Sequence, residues 1–436
     1  MRPLLTRLRW AALALVPLAI LLAVAAAFLF MRQGGLEPLR VPDGGATAIA
    51  AEPALVERGA YLARLGNCLT CHTTRGGTPY AGGRGFATPW GTLYSSNLTP
   101  DAATGLGDWS LDQFRHAMRH GVTEEAGFLY PAFPFANFAL LTDPDLEALY
   151  AFLRTQAPVR APQRPDTLAF PAGSRGAILA WRMLFHRPRA PFEPRPDRSA
   201  AWNRGRYLVD GVGHCDMCHG ERGAFGSLPA DRYMAGGRIP GEGWYAPPLG
   251  RQALARYGVD ELAQFLRTGV SPHGAAYGPM AEVVYSSLRA LTPEDAQAMA
   301  VYLKDIPDRP RTAYAGIVGG TRAGELAADG RRLYARHCAE CHGADGRGRG
   351  LDYPPLAGNP SLAEGHPVNT VRMVLYGGVP PVTAGNPRPY SMPPFAHQLS
   401  DAEVAAVVTY VRQAWGNRGG AVSPDQIEDL RGLPLQ

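Results

Sequence analysis

Three strings in this 436-residue chain share one grammar: "NCLTCHT" at 67–73, "HCDMCHG" at 214–220 and "HCAECHG" at 337–343. Together they use every cysteine in the protein: Cys68, Cys71, Cys215, Cys218, Cys338 and Cys341. Two cysteines three residues apart on a helical turn can each form a thioether to a haem vinyl group. The histidine directly after them is then presented to the iron as its proximal ligand. On this reading His72, His219 and His342 are the proximal ligands. A thioredoxin-like pair would need one such motif beside a βαβ pattern, and a zinc site would need paired knuckles supplying four ligands to one metal. Here each pair carries its own histidine, and the pairs lie more than a hundred residues apart. The spacing implies three covalent haem c groups.

An electron-carrying haem needs a sixth ligand, and a methionine sulfur there raises the potential. Met280, in "YGPMAEVV", lies 61 residues past His219, and Met392, in "YSMPPF", lies 50 past His342. A methionine flanked by Pro or Gly in a loop is poorly explained as core filler, so both are expected to ligate. The first repeat has Phe133 at the equivalent offset, in "LYPAFPF", and phenylalanine cannot bind iron. Met118 is the nearest substitute, but it aligns with Leu266 and Leu375 and shares an apolar stripe with Leu111 and Phe114. Core packing is its expected role. His116 and His120 flank it and could turn to the iron, or the first haem is five-coordinate. A proximal histidine donates its other ring N–H to a backbone carbonyl, and "APPLG" and "PPLAG" resemble the Pro loops that supply it in class I cytochromes, with "SSNLTPD" as the matching first-repeat loop.

The elements that must hold these groups also repeat. Ahead of each motif runs a short helix with an early glycine: "RGAYLARLGNC", "RGRYLVDGVGHC" and "DGRRLYARHC". About seventy residues on come "LTDPDLEALYAFLR" (141–154), "LTPEDAQAMAVYLK" (291–304) and "LSDAEVAAVVTYVR" (399–412). Each opens on a capping Thr or Ser (Thr142, Thr292, Ser400) followed by acidic residues, both favourable at a helix N-terminus. Gly59, Gly205 and Gly330 would let the leading helix cross the closing one at short range. The expected fold class is all-α, with three tandem class I cytochrome c domains over 55–157, 201–309 and 324–416. Between and around them lie a tether (33–54), a Pro/Arg-rich connector with one short helix (158–200), a linker (310–323) and a C-terminal tail (417–436) expected to lie on the surface.

Residues 10–31, "WAALALVPLAILLAVAAAFLFM", form an apolar run long enough to cross a bilayer, preceded by Arg2, Arg7 and Arg9. They predict a single N-terminal transmembrane anchor over 1–32, with the rest on the periplasmic side of a bacterial inner membrane. A cleaved signal peptide is the alternative. The net charge of +5 is too mild to argue for nucleic acid. No dinucleotide fingerprint, nucleophile elbow or zincin helix is present; "GADGRGRG" at 343–350 follows a haem turn, not a strand.

With these residues in view, the chain resembles the tri-haem cytochrome c subunits of membrane-bound alcohol and aldehyde dehydrogenases, and the similar subunits of gluconate-type dehydrogenases. The likeness runs from about residue 55 to 416 and includes "AGGRGFATPWGTLYSSNLTPD", "AWNRGRYLVDGVGHCDMCH" and "GPMAEVV". It implies a chain without substrate chemistry of its own. Such a subunit takes electrons from a separate catalytic subunit (molybdopterin, quinoprotein or flavoprotein) and passes them to ubiquinone or a terminal oxidase. The alcohol-dehydrogenase form has Met where this chain has Phe133, which tilts the expected partner toward a molybdenum hydroxylase oxidising aldehydes. The competing expectation is a multihaem enzyme, a small-molecule reductase or peroxidase, working at an open first haem.

Overall fold

The computed structural model describes residues 24–31, 40–49, 52–310, 312, 321–363 and 366–432. In the first repeat, α1 (Pro53–Leu65) leads into the first cysteine pair, and α2 (Leu111–His120) and α3 (Asp143–Arg154) follow. The connector holds α4 (Arg175–Phe185). The second repeat comprises α5 (Ala200–Arg206), which runs on as a π-helical segment to Val212, then α6 (Val259–Thr268), α7 (Pro279–Ser286) and α8 (Pro293–Asp305). The third has α9 (Thr321–His337), α10 (Val368–Tyr376) and α11 (Asp401–Gln413), and α12 (Pro424–Arg431) closes the described chain. Among the described residues, strands occur only as four two-stranded antiparallel hairpins. The architecture is all-α.

One crossing recurs three times: α1 on α3, α5 on α8 and α9 on α11. At each, a glycine meets the backbone of the closing helix. A Cβ on Gly59 would lie 1.9 Å from the Ala148 carbonyl oxygen, one on Gly205 1.9 Å from that of Ala298, and one on Gly330 2.0 Å from that of Ala406. No other residue type fits there. The closing helices start as their sequences predict in two cases, because Thr292 and Ser400 accept the amides of Asp295 and Glu403. Thr142 takes the N-cap backbone conformation without a side-chain bond. Leu62, Leu146, Leu208 and Leu291 close one apolar core shared by the first two repeats, while the third has its own around Val371, Val404 and Val408.

Two expectations need correction. The single N-terminal membrane anchor is not supported: among the described residues no helix is long and apolar enough to cross a membrane. Of the apolar run, residues 24–31 form a helix of about 12 Å, against a hydrocarbon core of about 30 Å. Residues 1–23 lie outside the described residues. The placement at an inner membrane, which rested on that anchor, falls with it. Nor is the C-terminal segment merely a surface tail. Val422 and Ile427 are fully buried, Tyr376 donates to the Arg431 carbonyl at 2.8 Å, and Arg431 pairs with Asp401 at 2.7 Å.

Candidate haem sites

Each cysteine pair sits on a single turn of helix. In the first, Asn67 adopts a left-handed conformation (φ 54°), and the chain then coils so that the His72 amide donates to the Cys68 carbonyl at 2.9 Å. The second repeats this, with His214 left-handed (φ 38°) and the His219 amide on the Cys215 carbonyl at 2.9 Å. In the third, α9 runs straight up to His337, and the His342 amide reaches the Cys338 carbonyl at 2.9 Å. A three-residue step on such a turn brings both thiols to one side. All six cysteines are free and half-buried.

The three imidazoles share one arrangement. Nδ1 of His72 lies 2.7 Å from the Ser96 carbonyl, that of His219 2.7 Å from Pro247, and that of His342 2.9 Å from Pro354. These are the loops expected from the sequence. A carbonyl only accepts, so Nδ1 holds the proton and Nε2 keeps the lone pair a metal needs. Burial lowers the pKa of all three rings, which keeps them neutral.

The thiols fit covalent capture better than thiolate chemistry. Burial pushes Cys68 up to about 12 and Cys218 and Cys338 up to about 11, with Cys71 and Cys215 also raised. A redox or zinc-binding pair works as thiolate and is tuned the other way. Among the described residues, no three His, Cys, Asp or Glu side chains converge as a metal cluster requires. Paired thiols on one turn beside a histidine with a set tautomer would suit covalent haem.

Met280 is the second residue of α7, following Gly278, whose φ of 54° and ψ of −140° suit glycine alone. The Trp244 ring lies against that glycine, and Arg372 of α10 covers the same ring at 4.9 Å. Trp244 escaped the sequence reading because a lone tryptophan in a Gly-rich loop carries no local signal. Met392 is half-buried and pinned by its backbone, its amide donating to Gly378 at 2.8 Å and its carbonyl accepting at 3.1 Å. Met118 is buried among Leu111, Phe114 and the shared core, the place its alignment with leucines predicts. His116 is buried too, its ring 4.8 Å from that of His120. Phe133 packs against the same core, 5.5 Å from Phe138, whose ring meets His214 edge-on at 5.7 Å.

A profile of the cytochrome c family matches residues 56–157 and 327–415. The cytochrome c subunit of gluconate 2-dehydrogenase from Pantoea cypripedii is 39% identical over 398 residues, covering 87% of this chain and 90% of that protein. The chain belongs to the dehydrogenase cytochrome c subunits. The cytochrome c subunit of quinone alcohol dehydrogenase from Gluconobacter oxydans is 37% identical over 91% of this chain and 87% of its own length. The fructose dehydrogenase cytochrome subunit of Gluconobacter japonicus is 33% identical over 88% and 84%. A dehydrogenase cytochrome c subunit carries covalently bound haem c and transfers electrons.

For this cytochrome subunit, Phe133→Met is expected to place a sulfur at the offset where the second repeat carries Met280. A rise in one haem potential and one additional far-red iron–sulfur absorption would be measured by potentiometry and visible spectroscopy. Three equivalent His/Met haems already present in the wild type would instead make Met118 the ligand.

Proposed function

We propose that the chain carries three haem c groups in three cytochrome c units over 55–157, 201–309 and 324–416. His72, His219 and His342 serve as proximal ligands, with Met280 and Met392 opposite the second and third. Bound haem supplies a one-electron couple; the chain's own residues set its ligand, its burial and its distance to the next site. The observation that carries the reading is the threefold repetition of one turn, with each histidine Nδ1 on a loop carbonyl at 2.7, 2.7 and 2.9 Å. Electrons enter from a separate catalytic dehydrogenase subunit, as the names of the gluconate, alcohol and fructose dehydrogenase relatives suggest, and leave to ubiquinone or a terminal oxidase.

Pyridine haemochrome analysis with denaturing mass measurement tests the count. Three haems per chain, retained after denaturation, are expected. Two would remove one motif from the reading, and haem lost on denaturation would remove covalent attachment altogether.

A further inference from the structure

The first two repeats meet through contacts that recur at equivalent positions of their leading and closing helices. Asp145, at the start of α3 and 1% exposed, is paired by Arg58 of α1. Asp295, at the start of α8, is paired by Arg204 of α5, with both contacts at 2.8 Å. Each carboxylate is then completed from the other repeat: Tyr207 donates to Asp145 at 2.5 Å and Tyr61 to Asp295 at 2.6 Å. Each tyrosine oxygen also accepts an N-cap amide from that other repeat, Thr142 at 3.3 Å and Thr292 at 3.4 Å. Burial, followed by the facing carboxylate, pushes Tyr61 up to about 12 and raises Tyr207 as well, so both remain donors.

A contact of i with j matched by one of j with i is the mark of a two-fold interface. Here it lies within one chain. The residues come from aligned strings, "RGAYL" with "RGRYL" and "LTDPD" with "LTPED". The third repeat reads "DGRRL" and has neither the arginine nor the tyrosine at these positions; its Asp329 and Arg332 pair with each other instead.

The two-fold brings the segments leading into the first two haem turns together. Nε2 of His214 lies 3.3 Å from the Gly66 carbonyl, and a Cβ on Gly66 would lie 3.4 Å from the Val212 carbonyl oxygen. The left-handed residues Asn67 and His214 occupy equivalent places, whereas His337 ends a helix. Ser287 donates to the Leu65 carbonyl at 3.0 Å, and Asn137 donates to the Asp210 carbonyl and to the Asp216 carboxylate, both at 2.7 Å. The third repeat joins differently, through Asn369 of α10, which exchanges two bonds with the Tyr245 backbone at 3.0 and 2.7 Å.

We infer that the first two repeats form an internal two-fold pair, in which Tyr61 and Tyr207 are positioning residues that hold the first two haem turns back to back as one coupled redox unit. The inference rests on the haem assignment above. With haem bound, the pair would supply two one-electron centres held by turns that Tyr61 and Tyr207 position, and charge taken up at one would lower the potential at which the other accepts an electron.

Soret circular dichroism and potentiometric titration of the full-length holoprotein test this. The wild type should give a bisignate Soret couplet. Tyr61→Phe and Tyr207→Phe keep the rings and remove the hydroxyls. Each should weaken the couplet, and together they should reduce it at least two-fold with the haem count unchanged. Asn369→Ala, at the junction with the third repeat, should leave it intact. An unchanged couplet in the fully haem-loaded double variant overturns the positioning role, and loss in Asn369→Ala places the coupling elsewhere. Absence of any couplet in wild type with three haems attached overturns the pair, whereas fewer than three haems overturns the haem assignment instead. Should the double variant fail to fold, the single variants decide, because the two-fold requires both to respond.

Discussion

Gly205→Ala is expected to destabilise the second repeat strongly. The added Cβ would lie 1.9 Å from the Ala298 carbonyl oxygen and 2.6 Å from its carbon, with the Tyr302 Cβ at 2.8 Å. Backbone atoms cannot swing aside as a side chain's end can, so α5 and α8 must part, and the apolar contacts along their crossing go with them. A loss of about 3 kcal/mol or more is expected, at the upper end for overpacking. Gly59→Ala and Gly330→Ala should behave alike, since their clashes at 1.9 and 2.0 Å are of the same kind. Denaturant midpoints and the haem content of purified protein measure the effect. Gly176→Ala in α4 is the control: nothing lies within 4 Å of its added Cβ. There the change should be neutral or stabilising by about 0.4–1 kcal/mol. Equal stability of Gly205→Ala and Gly176→Ala would mean the helices do not cross as described.

Met392→Ala and Met280→Ala are each expected to remove one iron–sulfur absorption and drop the potential of one haem while leaving its attachment intact. Axial ligands tune haem over about 0.8 V, so a drop on the order of a tenth to a few tenths of a volt is expected. Both side chains are half-buried, and neither backbone is released by the change. The Met392 loop stays pinned by Gly378, and α7 stays fixed by Gly278 against Trp244. Stability should therefore move far less than in the glycine variants. Visible spectra and potentiometry of each variant report separately, and an unaltered far-red band in either one strikes that methionine from the ligand set.

Much of the candidate site was legible because its signals are local. A C-x-x-C-H string needs only one turn to become a thiol pair with an adjacent histidine. A Thr or Ser before acidic residues starts a helix with partners two or three positions on. Comparing repeats extended this reach, placing Met118 in the core by its alignment with Leu266 and Leu375, and selecting Gly59, Gly205 and Gly330 as crossing points. The same local logic misled at the N-terminus, where apolar length alone predicted a spanning helix that the described residues do not form. It also misled at the C-terminus, where a polar, Pro-containing stretch hid Val422 and Ile427, whose burial depends on α10 and α11 being already in place.

The sequence by itself determined the make-up of each turn: the paired thiols, the histidine after them, the carbonyl loop its ring meets, and the glycine that lets two helices close beneath it. Only the tertiary structure decided how the turns face one another. Tyr61 and Asp295 stand 234 residues apart, and Tyr207 and Asp145 stand 62 apart. Each is an ordinary residue on an ordinary helix until folding brings the partner helix over it. A buried carboxylate needs its hydrogen bonds from whatever lies above it in space, and one strand of sequence does not say what that will be.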